Sequence, residues 1–187
     1  QLIKGIFEEL VLRMEAIGGA LHPSGIPAGS EYCGFIDYGH ARVTPFEPEA
    51  VKRCATEMLL EAGVRLQLHT FVADTIVEDH AVRGVITASK SGLEAFRATV
   101  TVDCSADADV AARGGARYEQ GRHEDGLTQP MTMFFRVANV DDDAVRAYVT
   151  DHPDDFRPFA SIVAEARAAG EFPIQRRGVG LYKTLEP

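Results

Sequence analysis

The chain has 187 residues, 45% of them hydrophobic and 25% charged, an ordinary globular composition with room for one good-sized domain or parts of two. A net charge of −9 argues against general nucleic-acid binding, which needs a basic face, and no apolar run approaches the ~20 residues needed to cross a bilayer. Three cysteines without C-x-x-C spacing (Cys33, Cys54, Cys104) argue against a disulfide framework or a zinc site and fit a reducing cytoplasm.

Taken in chain order, Ile3, Ile6, Phe7, Leu10, Met14 and Ile17 recur at helical spacing, which predicts a core-packing helix over residues 2–17 ended by Gly18-Gly19. Residues 22–45 are rich in Gly and Pro and read as a loop; loops of this length are functional or are ordered by a partner segment. The loop's His22 and His40 read as exposed or packing side chains, because nothing fixes their mutual geometry. Pro48 opens a second helix, with a buried stripe expected at Val51, Ala55, Met58, Leu59 and Ala62 and a stop at Gly63. Val64, Leu66 and Leu68 then alternate with polar residues as in a strand. Three more β-like runs follow at about 71–78, 82–89 and 94–104. The short turns Glu78-Asp79-His80-Ala81 and Lys90-Ser91-Gly92 make them an antiparallel meander.

The end of that meander carries the candidate chemistry. Val100 and Val102 predict a buried strand, which turns through the small residues Cys104, Ser105 and Ala106 and enters a short helix at Asp107. Such a turn offers free N–H groups and a carboxylate at a strand's carboxyl end, where open α/β sheets bind ligands. The plainer alternative is a β-to-α turn capped by an Asp. Cys104 reads as a small buried residue rather than a reactive thiol. Further on, Thr128–Val137 predicts an edge strand with Met131, Met133 and Phe135 on a core face. Asp141-Asp142-Asp143 reads as an acidic helix start rather than a metal site. Helices near 142–150 and 156–169 and a strand pair over 172–185 complete the chain.

Two segments resemble a known family. Val102-Asp103-Cys104-Ser105-Ala106-Asp107-Ala108-Asp109-Val110-Ala111 is similar to the I-D-A-T-G-D-x-D-x-A segment of the FAD-dependent oxidoreductases of the glutathione-reductase-like superfamily, with Ala106 where the family has glycine. Gly121 to Arg136 resembles that family's G-R-x-x-D-G-x-T-Q-P-M-T-x-x-F-R segment nearly throughout. The runs Phe46–Ala50, Glu61–Val64 and Leu68–Val72 resemble it too.

The resemblance implies an α/β fold class, as an α+β fragment. A partial FAD-binding domain with an antiparallel meander would occupy residues 1–115, and the start of a substrate-covering or cap domain residues 116–187. It implies FAD as cofactor. Cys104, Ser105 and Ala106 would contact it through the backbone, Asp107 through a hydrogen bond to a cofactor hydroxyl, and Val72 through backbone contacts to the adenine. No metal and no catalytic residue are implied; His123, Gln129, Thr132 and Arg136 are candidates for the substrate side. The expected partners are a small-molecule substrate and the remainder of the same polypeptide, with no nucleic acid and no membrane, and a homo-oligomer is compatible. No G-x-G-x-x-G pyrophosphate turn occurs in the 187 residues, so the chain is expected to be an internal piece of a longer, cytoplasmic oxidoreductase. A different class also fits, a non-catalytic domain using the scaffold for binding or assembly. A hydrolase using His22 or His40 with Cys33 lacks a nucleophile motif and ranks last.

Overall fold

The computed structural model describes residues 4–37, 43–174 and 176–185, so Tyr38 and His40 lie outside the described residues. The architecture is mixed, with α-helices and one antiparallel sheet. The chain forms two compact units, Gln1–Val64 with Phe135–Pro187, and Arg65–Phe134. The boundary expected near residue 115 falls inside the second of these.

In the first unit, helix α1 (Ile6–Ala16) packs on helix α2 (Pro48–Glu61). Their shared core is Val11, Met14, Ala20, Ala50 and Cys54, flanked by Leu10 and Val51. The helical period was legible, but the buried faces are rotated from the expected ones. Ile6, Phe7 and Ile17 of the first stripe and Leu59 and Ala62 of the second are exposed, while Val11, Ala50 and Cys54 face inward. The reason is close approach. A Cβ on Gly19 would lie 2.2 Å from the Cβ of Ala50, so the backbones meet where side chains are small. Gly19 also accepts the Glu47 N–H at 2.9 Å, and Ala20 pairs with Phe46 in an isolated antiparallel bridge. Outside the core, Arg13 bridges Glu9 and Glu61, each at 2.7 Å, tying the two helices at the surface.

The described part of the Gly/Pro-rich loop, residues 22–37 and 43–45, is tied at Glu31 to segments distant in the chain. It contains two short 3₁₀ turns, Pro23–Gly25 and Glu31–Cys33. Lys183 donates its N–H to the Glu31 carbonyl at 3.2 Å, and Arg146 pairs with the Glu31 carboxylate at 3.3 Å. His22 caps its own turn, Nδ1 accepting the Ser24 N–H at 3.3 Å. Cys33 is fully buried, with its thiol 3.6 Å from the Pro27 carbonyl, which removes it as an exposed nucleophile. Helices α4 (Asp142–Asp151) and α5 (Ala160–Ala168) follow in the same unit after the elements of the second have intervened. Asp141 caps α4 by accepting the Ala144 N–H at 2.9 Å, so the acidic run is a helix start. The second of these helices begins at Ala160 rather than 156, and residues 172–174 and 176–185 contain no strand.

The second unit is built on the meander. Strands β1 (Phe71–Glu78), β2 (Ala81–Ser89) and β3 (Gly92–Arg97) pair antiparallel in that order. The β1–β2 turn places both Asp79 and His80 at positive φ (49° and 61°), the conformation whose twist matches a two-residue hairpin. Two expected strands are absent here and a third is shorter than expected. Residues 64–69 and 128–137 have no ladder partners among the described residues, and the third meander strand stops at Arg97 instead of running to 104. Val100 and Val102 are 76% and 79% exposed, not buried, and Met131 is 97% exposed, so the methionines are not core. Apolar alternation describes a strand's faces, but a strand exists only where another supplies its hydrogen bonds. Among the described residues no helix is long and apolar enough to cross a membrane.

Candidate functional site

The turn after Val102 is organised by Asp103, a residue for which the sequence suggested no role. Its Oδ1 accepts the Ser105 N–H at 2.9 Å and the Ser105 Oγ–H at 2.6 Å; its Oδ2 accepts the Ala111 N–H at 2.9 Å. Ser105 Oγ in turn accepts the Asp109 N–H at 2.8 Å. These bonds serve the first N–H groups of helix α3 (Asp109–Arg113), which have no intrahelical acceptors. Hydrogen bonds from the Ser105 hydroxyl, then from the Ala111 and Ser105 amides, stabilise the charged carboxylate and pull Asp103 down to a pKa of about 2.

Helix α3 is seated on the meander. Thr75 of β1, 8% exposed, donates its hydroxyl to the Val110 carbonyl at 3.1 Å, and Val110 is itself buried. At the far end, a Cβ on Gly114 would lie 3.0 Å from Val82 Cγ2 of β2, so a glycine lets the helix end approach the sheet. Arg113 pairs with Asp109 at 2.9 Å along the helix. Thus the sheet holds the helix, the helix holds the Asp103–Ser105 bonds, and those bonds shape the turn.

The sequence-predicted residues fall as follows. Asp107 is exposed, and its carboxylate accepts no hydrogen bond among the described residues; it is not the helix cap, since Ala108, at φ 55°, holds the N-cap position. Ala106 is exposed and has no positive φ, so its backbone does not require the glycine of the family pattern. Cys104 is exposed, not buried, because the segment that carries it has no covering strand. The Ser105 hydroxyl is turned inward to Asp103, which leaves its backbone carbonyl toward any ligand role. The expected free N–H groups at the helix start are occupied by Asp103 and Ser105. Those unpaired among the described residues lie earlier, at Cys104, Ala106, Asp107 and Ala108. Val72 sits on β1 opposite Thr87, beside an irregularity in the ladder between Val72 and Asp74. It therefore shares a unit with the turn, and Thr75, three residues on, is the link between β1 and α3. Asp103 and Thr75 were missed. The Asp-x-Ser spacing of an Asx turn could have revealed the first; nothing local marks the second.

The second resemblance segment forms a closed turn. Arg122 exchanges backbone bonds with Gly126 and Leu127 at 2.8 and 3.0 Å and pairs with Asp125. Gly121, at φ 77°, is required there: a Cβ would lie 2.2 Å from the Gly126 carbonyl oxygen. His123 and Gln129 are exposed, Thr132 is exposed but engaged, and Arg136, in the other unit, pairs with Glu47 at 3.2 Å. Among the described residues no group of acidic, histidine or cysteine side chains could hold a metal ion.

An exposed carboxylate and several unpaired N–H groups on a turn fixed from behind suit a polar, hydroxyl-rich ligand. Compared with known families, residues 1–187 match the family described as FAD dependent oxidoreductase. No curated protein and no solved structure matches the chain.

Proposed function

From a chain that belongs to the FAD-dependent oxidoreductase family, we propose that the Cys104–Asp107 turn contacts the flavin cofactor. The observation that carries this reading is the division of labour between two carboxylates four residues apart. Asp103 is consumed by the fold, while Asp107 is exposed and has no partner among the described residues. Asp107 accepts a hydrogen bond from a ribose or ribityl hydroxyl; the unpaired amides of Cys104, Ala106 and Asp107 donate to cofactor oxygens. Val72 offers its backbone to the adenine from the strand that seats α3. Bound flavin supplies two-electron redox chemistry, here a hydride or electron pair exchanged with a small-molecule substrate. The chain's own residues bind and orient; the rigid Asp103–Ser105 turn keeps the site from having to be ordered when the cofactor arrives.

The 187 residues contain no G-x-G-x-x-G turn, so the test belongs in the full-length protein. Asp107→Ala should weaken FAD about ten- to a hundredfold, the loss expected for a hydrogen bond to a charged group. Because Asp107 caps nothing, the thermal midpoint of the apoprotein should not move. Unchanged flavin affinity, read from the visible flavin bands on titration, would overturn the assignment.

A further inference from the structure

The first unit contains a cleft of about 190 Å³ that the flavin reading does not use. Its walls include Phe35, Tyr148, His152, Phe156 and Arg157. The volume is small beside the few hundred Å³ of drug-sized sites, and suits a ligand of about one ring.

The wall is set in place with care. Tyr148 stacks on His152 with ring centroids 3.9 Å apart and on Phe159 at 5.0 Å. His152 Nδ1 lies 2.8 Å from the Tyr148 carbonyl, which can only accept, so Nδ1 carries the proton in that bond. The Arg146 guanidinium sits 5.7 Å from the centroid of Phe35. Phe35 and Phe159 both have positive φ, 59° and 65°. Bulky residues are strained there, and such strain collects at ligand clamps.

The charges in the cleft are unequally committed. Asp155 accepts the Ser161 N–H with both carboxylate oxygens at 3.2 Å and lies 3.5 Å from the Tyr148 hydroxyl. Asp37, exposed on the rim, also has a partner. Arg157 is half-buried, and among the described residues its guanidinium has neither a hydrogen bond nor an ion pair. Its stem is held: a Cβ on Gly178 would lie 3.2 Å from Arg157 Cβ and 3.5 Å from its Cδ. A chain of net charge −9 offers abundant carboxylates, yet this guanidinium takes none among the described residues.

We propose that this cleft binds a small organic carboxylate, its anionic end on Arg157 and its flat apolar body against Phe35 and Phe156. A guanidinium presents paired donors that match a carboxylate, and the rings favour a planar body. The long-range field of an acidic chain disfavours anions, so any preference for one must come from the local site. Asp155 sharpens the choice, since its charge repels a second anionic group on the ligand.

The probes are phenylacetate, benzyl alcohol and benzylamine, which share a ring and differ in charge, titrated against the full chain by calorimetry. Phenylacetate should bind at least tenfold more tightly than either of the others. Arg157→Gln should bring phenylacetate down to the level of benzyl alcohol and leave benzyl alcohol unchanged. Arg157→Lys, which keeps the stem over Gly178 and the charge, should fall between, and it serves if the Gln variant fails to fold. Equal binding of the three probes, tighter binding of the amine, or phenylacetate affinity indifferent to Arg157 would each overturn the proposal. Because the flavin assignment rests on the other unit, its success or failure is read separately.

Discussion

The Thr75–Val110 bond is the point where sheet and site-bearing helix are joined, so Thr75→Val is the most informative single change. Valine keeps the β-branched shape and removes only the hydroxyl. The Val110 carbonyl would not be orphaned, because it also accepts the Gly114 N–H at 2.8 Å. The loss is therefore that of one neutral hydrogen bond, about 0.5–1.5 kcal/mol, rather than the larger penalty of a buried group left unpaired. Valine's preference for strands returns a few tenths of a kcal/mol. The expected result is a local destabilisation of about 1 kcal/mol, roughly a fivefold change in an opening equilibrium. Native-state hydrogen exchange reads this directly. The amides of Ala112 and Gly114 in and after α3 should exchange about fivefold faster, while the amides of α1, in the other unit, should not change. Thr75→Ser, which keeps the donor, should protect α3 better than valine does. If the valine variant protected those amides as well as the natural residue, the bond would not be what seats the helix.

Asp103 gives a pH dependence. Its folded-state pKa is lowered from 3.8 to about 2, so its stabilisation is fully present above the unfolded value and is lost as pH falls through the folded one. Loosening of α3 should thus develop between about pH 4 and pH 2, and Asp103→Asn should remove that step; a carboxyl carbon titrating near 3.8 by NMR would contradict the geometry. Gly19→Ala should destabilise the α1–α2 pair by about 1–3 kcal/mol, since the new methyl has no room against Ala50 and small-to-large changes in a packed contact strain both partners. A denaturation midpoint equal to that of the unaltered chain would mean the helices can part at no cost.

Local patterns were legible without the structure wherever one segment satisfied itself. The helices over residues 6–16 and 48–61 were visible from period and from Pro48, because helical hydrogen bonds close within the segment. The meander was visible because its turns bring neighbouring strands together across two residues. The acidic run at Asp141 was visible because a cap acts on the next turn. The family was legible from the two quoted segments, since motif spacing is a property of the chain itself.

Everything that needed a distant partner was decided only by the tertiary structure. Val100 and Val102 alternate as a strand should, yet no ladder partner meets them among the described residues and they lie exposed. The inward stripe of α2 falls on Ala50 and Cys54 because the segment just after α1 approaches through Gly19, which periodicity on one helix cannot specify. At the candidate site the sequence by itself determined which residues form the turn, but not which of its carboxylates is free. Asp103 and Asp107 are the same chemical group four positions apart. Only the fold decides that Asp103 turns back to the Ala111 amide while Asp107 faces outward, because the helix that claims Asp103 is itself placed by Thr75, 35 residues from Val110.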